Sequence, residues 1–165
     1  MISSSHLDRS YDRVSFDCGD ETVTRFLKQS ALQDHERDLS RTTIFFNDDE
    51  PERIIGYHTL LLSQVEQKDI PGDKPRLKRE LPVVLLGQLG VDLRFQGKGM
   101  GDMLLIDAQE RIAEISEKIG VRSLALDARN EELADWYERR EFVRHAGSLR
   151  MFKSIDAIRR IFQKR

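Results

Sequence analysis

The chain has 165 residues, 39% of them hydrophobic and 34% charged, enough for one hydrophobic core without disulfides or a structural metal, and it is read as a single domain over residues 1–165. Its 27 basic and 29 acidic side chains nearly cancel to a net charge of -2, which favours no partner by itself, while the lone cysteine, Cys18, excludes a disulfide framework and a multi-cysteine zinc site. The first residues lack a basic start and an apolar run, and no stretch approaches the roughly 18 apolar residues of a membrane span, so a cytoplasmic protein with no membrane partner is expected.

Between Asp20 and Asp34, Val23, Phe26, Leu27 and Ala31 fall at i, i+3, i+4 and i+8, the stripe of one amphipathic helix started by Asp20 or Gly19. Thr42–Phe46 and Arg53–Leu62 are rich in β-branched and aromatic residues and are separated by the polar turn Asn47-Asp48-Asp49-Glu50-Pro51, which predicts an antiparallel pair. Gln67–Glu80 is charged, broken by proline and glycine, and lacks an apolar period; it is expected to be an exposed excursion. Pro82–Val91 is a nearly continuous apolar run, as a strand buried on both faces requires.

A glycine-rich turn follows, and then Met100, Met103, Leu104, Ala108, Ile112, Ile115 and Ile119 sustain a helical period that Gly120 is expected to stop. Val121–Leu126 reads as a strand, Glu131–Arg140 as a helix, and Phe142–His145 and Leu149–Lys153 as short closing strands. The early strands are joined by a hairpin and those around the long helix need a crossover, so the sheet must be mixed.

The turn Gln96-Gly97-Lys98-Gly99-Met100-Gly101 passes from a buried strand into a helix start. Unpaired backbone amides and the positive end of the helix dipole meet there, a natural anion site, and glycine lets the backbone approach a phosphate without a Cβ in the way. Lys98 can add charge from outside. A Walker loop needs Gly-Lys-Ser/Thr, which is absent, and a dinucleotide fingerprint needs glycine where Asp102 stands.

Gln96, Gly99 and Gly101 match the Gln/Arg-x-x-Gly-x-Gly/Ala signature of the GNAT N-acetyltransferases, which the chain resembles. Phe16-Asp17-Cys18-Gly19, Leu85-Leu86-Gly87-Gln88-Leu89-Gly90-Val91-Asp92, Leu104-Leu105-Ile106-Asp107-Ala108, Asp127-Ala128-Arg129-Asn130 and Trp136-Tyr137-Glu138-Arg139 are similar to the GNAT toxins of bacterial toxin-antitoxin modules, over residues 16–145. The resemblance implies an α/β (α+β) GNAT fold, a mixed, mostly antiparallel central sheet of six to seven strands flanked by about four helices. It further implies an acetyl-CoA-dependent N-acetyltransferase without a metal, acting by direct transfer on the α-amino group of an aminoacyl-tRNA, with a ribbon-helix-helix antitoxin as partner. A small amine or a protein amino group as acceptor, a non-catalytic CoA-binding module, and a homodimer all stay open.

On the same resemblance, the pantetheine arm lies along the strand at Leu89, Gly90 and Val91, and the pyrophosphate on Gln96, Gly97, Lys98, Gly99, Met100 and Gly101. Tyr137 is the expected catalytic acid that protonates the CoA thiolate, a role suited to a phenol near its ordinary pKa of about 10. Asn130 either touches the cofactor or caps the helix after it. His58 is a mid-strand histidine with a pKa suited to proton transfer, but a hydrogen-bonded sheet histidine is the more common explanation and it is left out of the catalytic set. Cys18 is not assigned an acetyl-enzyme role, since the resembled family transfers directly.

Basic residues gather at Lys68, Lys74, Arg76, Lys78 and Arg79 and at Arg159, Arg160, Lys164 and Arg165, either as solvated charge or as contacts to RNA phosphates. Two positions depart from the toxins. Gly87-Gln88-Leu89-Gly90-Val91 stands where they commonly have Gly-Arg-Leu-Ala-Val, and Glu141-Phe142 where they have Gly-Phe, so the backbone must turn there without glycine.

Overall fold

Three serines in a row conceal the first element from any hydrophobic pattern. In the computed structural model, which describes residues 1–73 and 78–163, Ile2–His6 forms strand β1, held by its antiparallel ladder to β2 (Arg41–Asn47) from Ile2↔Asn47 to His6↔Thr43. Backbone pairing, which any sequence can supply, makes this strand.

The helix expected over Asp20–Asp34 is two helices, α1 (Glu21–Gln29) and α2 (Ala31–Glu36). Asp20 caps α1 by accepting from the amides of Thr22 and Val23 at 2.9 and 3.2 Å, with Glu21 in the first turn and Lys28 in the last. Ser30 breaks the run with φ -124°, yet Val23, Leu27 and Ala31 are still all buried.

Strand β3 (Gly56–Glu66) pairs antiparallel with β2, from Arg41↔Leu60 to Phe45↔Gly56. It begins three residues later and runs four residues further than the apolar run suggested. Thr42–Phe45 and Gly56–Leu60 are buried without alternation. The Thr42 and Thr59 hydroxyls meet across the ladder at 2.7 Å, so neither is left unpaired.

Strand β4 (Glu80–Val91) leads through a 3-10 turn (Leu93–Phe95) into α3 (Met100–Ser116). The helix ends at Ser116, and Gly120 does not adopt a left-handed conformation, so the expected glycine stop is absent. Strand β5 (Ser123–Asp127) then pairs parallel with β4, Val83↔Ser123 to Leu85↔Ala125, as a helical crossover dictates. After α4 (Glu131–Glu138) come β6 (Val143–Arg144) and β7 (Arg150–Ser154), with β5 and β6 both antiparallel to β7. A last helix, α5 (Ile155–Phe162), was not expected. Ser154 caps it by accepting from Ala157 at 3.1 Å, and Ile155 and Ile158 are buried.

The described residues thus form a mixed seven-stranded sheet of order β1-β2-β3-β4-β5-β7-β6, with five α-helices. This matches the expected sheet and adds one helix to the expected number.

The fold divides into two compact units, Met1–Leu61 with Gly87–Ala108 and Leu62–Leu86 with Gln109–Arg165. The first is centred on Leu7, Tyr11, Phe16, Val23, Leu27, Ala31, Leu32, Ile44, Ile54 and Tyr57. Each large apolar side chain buried there contributes about 2 kcal/mol. The second has a core of Ile70, Leu81, Val83, Ala125 and Phe152. Among the described residues, no helix is long and apolar enough to cross a membrane, and no group of three or more His, Cys, Asp or Glu is placed to hold a metal ion.

Candidate active site

In the first unit, the site is built where β4 ends. Asp92, the next residue, is 2% exposed and organises the exit. Its carboxylate accepts from the Arg94 amide at 3.0 Å, from Arg94 Nε at 2.8 Å and Nη2 at 3.1 Å, and from the Asp17 amide at 3.2 Å, while its own amide donates to Ile55 O at 2.8 Å. Burial alone would raise this carboxyl; the hydrogen bonds from Arg94 and Asp17 outweigh it and leave its pKa below the ordinary value. Sequence reasoning gave Asp92 no role, although it stands at the end of a motif that was singled out.

Gln96 then turns its side chain inward, and Nε2 donates to Cys18 O and to Val91 O, both at 2.8 Å. This amide pins the loop to the end of β4 and to the segment before α1. Gly97 and Gly99 follow at φ +77° and +80°, with open space around each Cβ position. The Gly99 carbonyl accepts the first helical bond, from Met103 at 3.2 Å. No side chain stands at that position to cap α3, and the amides of Gly97, Lys98 and Gly99 find no acceptor among the described residues. Met100 and Gly101 lie in the first turn of α3, whose amides lack intrahelical acceptors by geometry. Lys98 is exposed, its Nζ 5.9 Å from the Phe95 ring centre.

Leu89 and Val91 are half-buried on β4 beside a buried Gly90. A Cβ at Gly90 would lie 2.8 Å from Val23 Cγ1 and 3.3 Å from Cys18 Sγ, which accounts for glycine where the toxins have alanine: α1 packs too closely here. Gly56 on β3 is similarly tight, since a Cβ there would meet Gly90 O at 2.9 Å and Leu104 Cδ1 at 3.0 Å.

His58 is wholly buried, with Nε2 2.7 Å from Asp107 Oδ2. A side chain so enclosed cannot take a proton from a bound amine. Cys18 Sγ is engaged with Asp20 O at 3.5 Å and Thr24 Oγ1 at 3.3 Å.

In the second unit, Tyr137 lies on α4, 8% exposed, edge-on to Trp136 and Phe142 with ring centres 4.9 and 5.3 Å away. Its hydroxyl makes no hydrogen bond among the described residues. Burial pushes this phenol well above its ordinary pKa, with Arg140 pulling slightly the other way, so the expectation of an unperturbed phenol does not hold. Trp136 is half-exposed and carries the Arg140 guanidinium 3.7 Å over its ring. Asn130 caps α4, its side-chain oxygen accepting from Leu133 at 2.9 Å.

Glu141, the residue found in place of glycine, takes the left-handed φ of +69°. The Phe142 amide then returns to Tyr137 O at 3.2 Å. The predicted residues therefore gather at two places: Leu89–Val91 and Gln96–Gly101 in the first unit, and Asn130 and Tyr137 on α4 in the second.

Of the basic clusters, Lys68 is exposed and paired with Glu66 at 3.1 Å, Lys78 and Arg79 are exposed, Arg159 donates to Ser116 O, and Arg160 is exposed. Lys74, Arg76, Lys164 and Arg165 lie outside the described residues.

No protein-family model matches the chain. It is 32% identical over 135 residues to a tRNA-acetylating toxin of Mycobacterium tuberculosis, covering 79% of this chain and 78% of that one. Its fold is similar to AtaT complexed with acetyl-methionyl-tRNAfMet, at a TM-score of 0.89 and 26% identity over 99% of this chain and 100% of the other. It is also similar to a tyrosine-to-phenylalanine variant of the AtaT toxin bound to acetyl-CoA and the C-terminus of the antitoxin AtaR, at a TM-score of 0.84 and 26% identity over 98% of each chain. With its seven-stranded mixed sheet and its glycine turn at the start of α3, the chain belongs to the family of GNAT tRNA-acetylating toxins.

Proposed function

We propose that this chain is a cytoplasmic acetyl-CoA-dependent N-acetyltransferase that acetylates the α-amino group of an aminoacyl-tRNA by direct transfer, and that a ribbon-helix-helix antitoxin restrains it. The observation that carries the reading is the row of open amides at Gly97, Lys98 and Gly99 leading into the uncapped first turn of α3. Two left-handed glycines with nothing within 4 Å of their Cβ positions leave room for a diphosphate to approach the backbone. The named relatives, which act on tRNA or are seen with acetyl-CoA and an antitoxin, support the same reading.

Acetyl-CoA supplies the acetyl group as an activated thioester. On this reading the amides of Gly97–Gly101 hold its diphosphate, with Lys98 adding charge and the inward-turned Gln96 keeping the loop in shape. The backbone of Leu89–Val91 lines the pantetheine arm, and an amide there polarises the thioester carbonyl. As the C–N bond forms the amine nitrogen gives up a proton, and as the C–S bond breaks the sulfur needs one. Tyr137 Oη holds that proton. A phenol whose pKa is raised by burial is fully protonated at working pH, and its conjugate base, being strong, is promptly reprotonated. Asn130 keeps the start of α4, and so Tyr137, in place.

The test is to mix purified protein with labelled acetyl-CoA and either charged tRNA or free amines. Label in the N-acetyl-aminoacyl-tRNA fraction is expected. Transfer to free polyamines with none to aminoacyl-tRNA would refute the acceptor, and calorimetry without acetyl-CoA uptake would refute the cofactor.

A further inference from the structure

His58 sits in mid-β3, 0% exposed, and its two ring nitrogens are treated differently. Nε2 is 2.7 Å from Asp107 Oδ2, while Nδ1 is buried without a partner. The neutral ring with its proton on Nε2 donates to the carboxylate and leaves only a lone pair unanswered; a charged ring would strand a second N–H as well. An apolar pair at these two positions would avoid both the orphan nitrogen and the partly buried carboxylate, so stability alone does not explain the contact.

Its place in the fold does. Gly56 and His58 are two apart on β3 and present the same face; Leu104 and Asp107 are three apart on α3 and share one helical face. Leu104 Cδ1 lies 3.0 Å from the Gly56 Cβ position and Asp107 meets His58, so α3 is seated on β3 by one apolar and one polar contact side by side. The apolar contact tolerates sliding and rotation. A hydrogen bond of 2.7 Å does not, because its strength depends on angle and distance. Two turns before Asp107, roughly 10 Å along the axis, α3 begins at Met100 with the open amides of the glycine loop.

We infer that His58, acting through Asp107, is a positioning residue that fixes the rotation and axial setting of α3 and thereby the aim of the diphosphate-binding amides. This rests on the acetyl-CoA reading of that loop for the ligand, and on the contact geometry for the tie.

The test uses the full chain as wild type, His58→Leu, His58→Gln, whose side-chain amide places a donor where Nε2 was, and the double variant His58→Leu/Asp107→Leu. Acetyl-CoA titration calorimetry and steady-state kinetics are combined with hydrogen exchange at the amides of residues 103–107 and with Tm. His58→Leu is expected to raise the acetyl-CoA Kd and KM about tenfold with kcat at saturation within about twofold, and to speed exchange in the first bonded turn of α3. His58→Gln should stay within about threefold of wild type. The double variant, which sets one apolar side chain against another at this contact, should keep the weakened Kd. Wild-type affinity and exchange in either leucine variant, or recovery of Kd in the double variant, would overturn the inference. If wild type takes up no acetyl-CoA, the cofactor reading fails on its own, and exchange still decides the tie: faster in the leucine variants sustains it, unchanged refutes it.

Discussion

Replacing Gly99 with alanine separates strain in the glycine loop from its role in binding. Gly99 has φ +80° and no atom within 4 Å of its Cβ position, so an added methyl group meets no neighbour and the structural penalty is conformational alone. A non-glycine residue in the left-handed region costs about 1.5 kcal/mol. Unfolding 165 residues carries an entropy of about 0.35 kcal/mol/K, so Tm should fall by about 4 °C. If the loop instead relaxes toward negative φ, the amides of Gly97–Gly99 swing away from the start of α3. One lost charge-assisted hydrogen bond is worth about 1.5–3 kcal/mol, a rise of about 10- to 150-fold in the acetyl-CoA Kd.

Titration calorimetry and thermal unfolding on the same preparation measure both quantities. Gly120→Ala is the control, since Gly120 is not left-handed and has equally open surroundings, and neither Tm nor Kd should worsen. A lowered Tm with a near-wild-type Kd marks a loop held in place under strain, whereas an unchanged Tm, the mark of a relaxed loop, with a Kd within threefold of wild type would refute the assignment of the loop to the diphosphate.

Tyr137→Phe should keep acetyl-CoA affinity and lower kcat by about 10²- to 10⁴-fold in the aminoacyl-tRNA assay, because it removes only the proton held for sulfur. Glu141→Gly relieves a left-handed residue at φ +69° and should raise stability by about 0.5–1 kcal/mol, read as a Tm increase of about 2 °C; a decrease would mean that the Glu141 side chain contributes more than its backbone costs. Asp92, with its carboxyl held below the ordinary value, contributes stability that is intact above the unfolded pKa and lost as pH falls through the lower native one. Asp92→Asn should therefore cost about 2 kcal/mol at pH 7 in urea unfolding, with the gap to wild type closing below about pH 4; a gap independent of pH would refute the role of its charge.

Short-range features could be read directly from the residues. The apolar run of β4, the period of α3 and the glycines between them are encoded within one or two turns of chain, so pattern and backbone freedom reveal them. β1 escaped because Ile2-Ser3-Ser4-Ser5-His6 has no apolar alternation, and it is held by a ladder to residues about forty positions away. α5 escaped because its arginines drew attention to charge, although Ile155 and Ile158 already stood at helical spacing with Ser154 ready to cap. The break at Ser30 left no trace in the hydrophobic stripe, since α2 keeps the same face buried as α1.

Composition, hydrophobic period and glycine placement were enough by themselves to determine a mixed sheet with helices, the order of most elements and the loop suited to an anion, while the class of fold came with the resemblance. Only tertiary structure decided what the polar side chains do. Gln96 turns toward backbone carbonyls that include one 78 residues distant, Asp92 gathers Arg94 and the Asp17 amide, and His58 finds Asp107 across 49 residues. The division has a physical cause: burial and backbone preference act locally and leave a periodic trace, whereas a directional hydrogen bond between distant residues leaves none until the chain has folded.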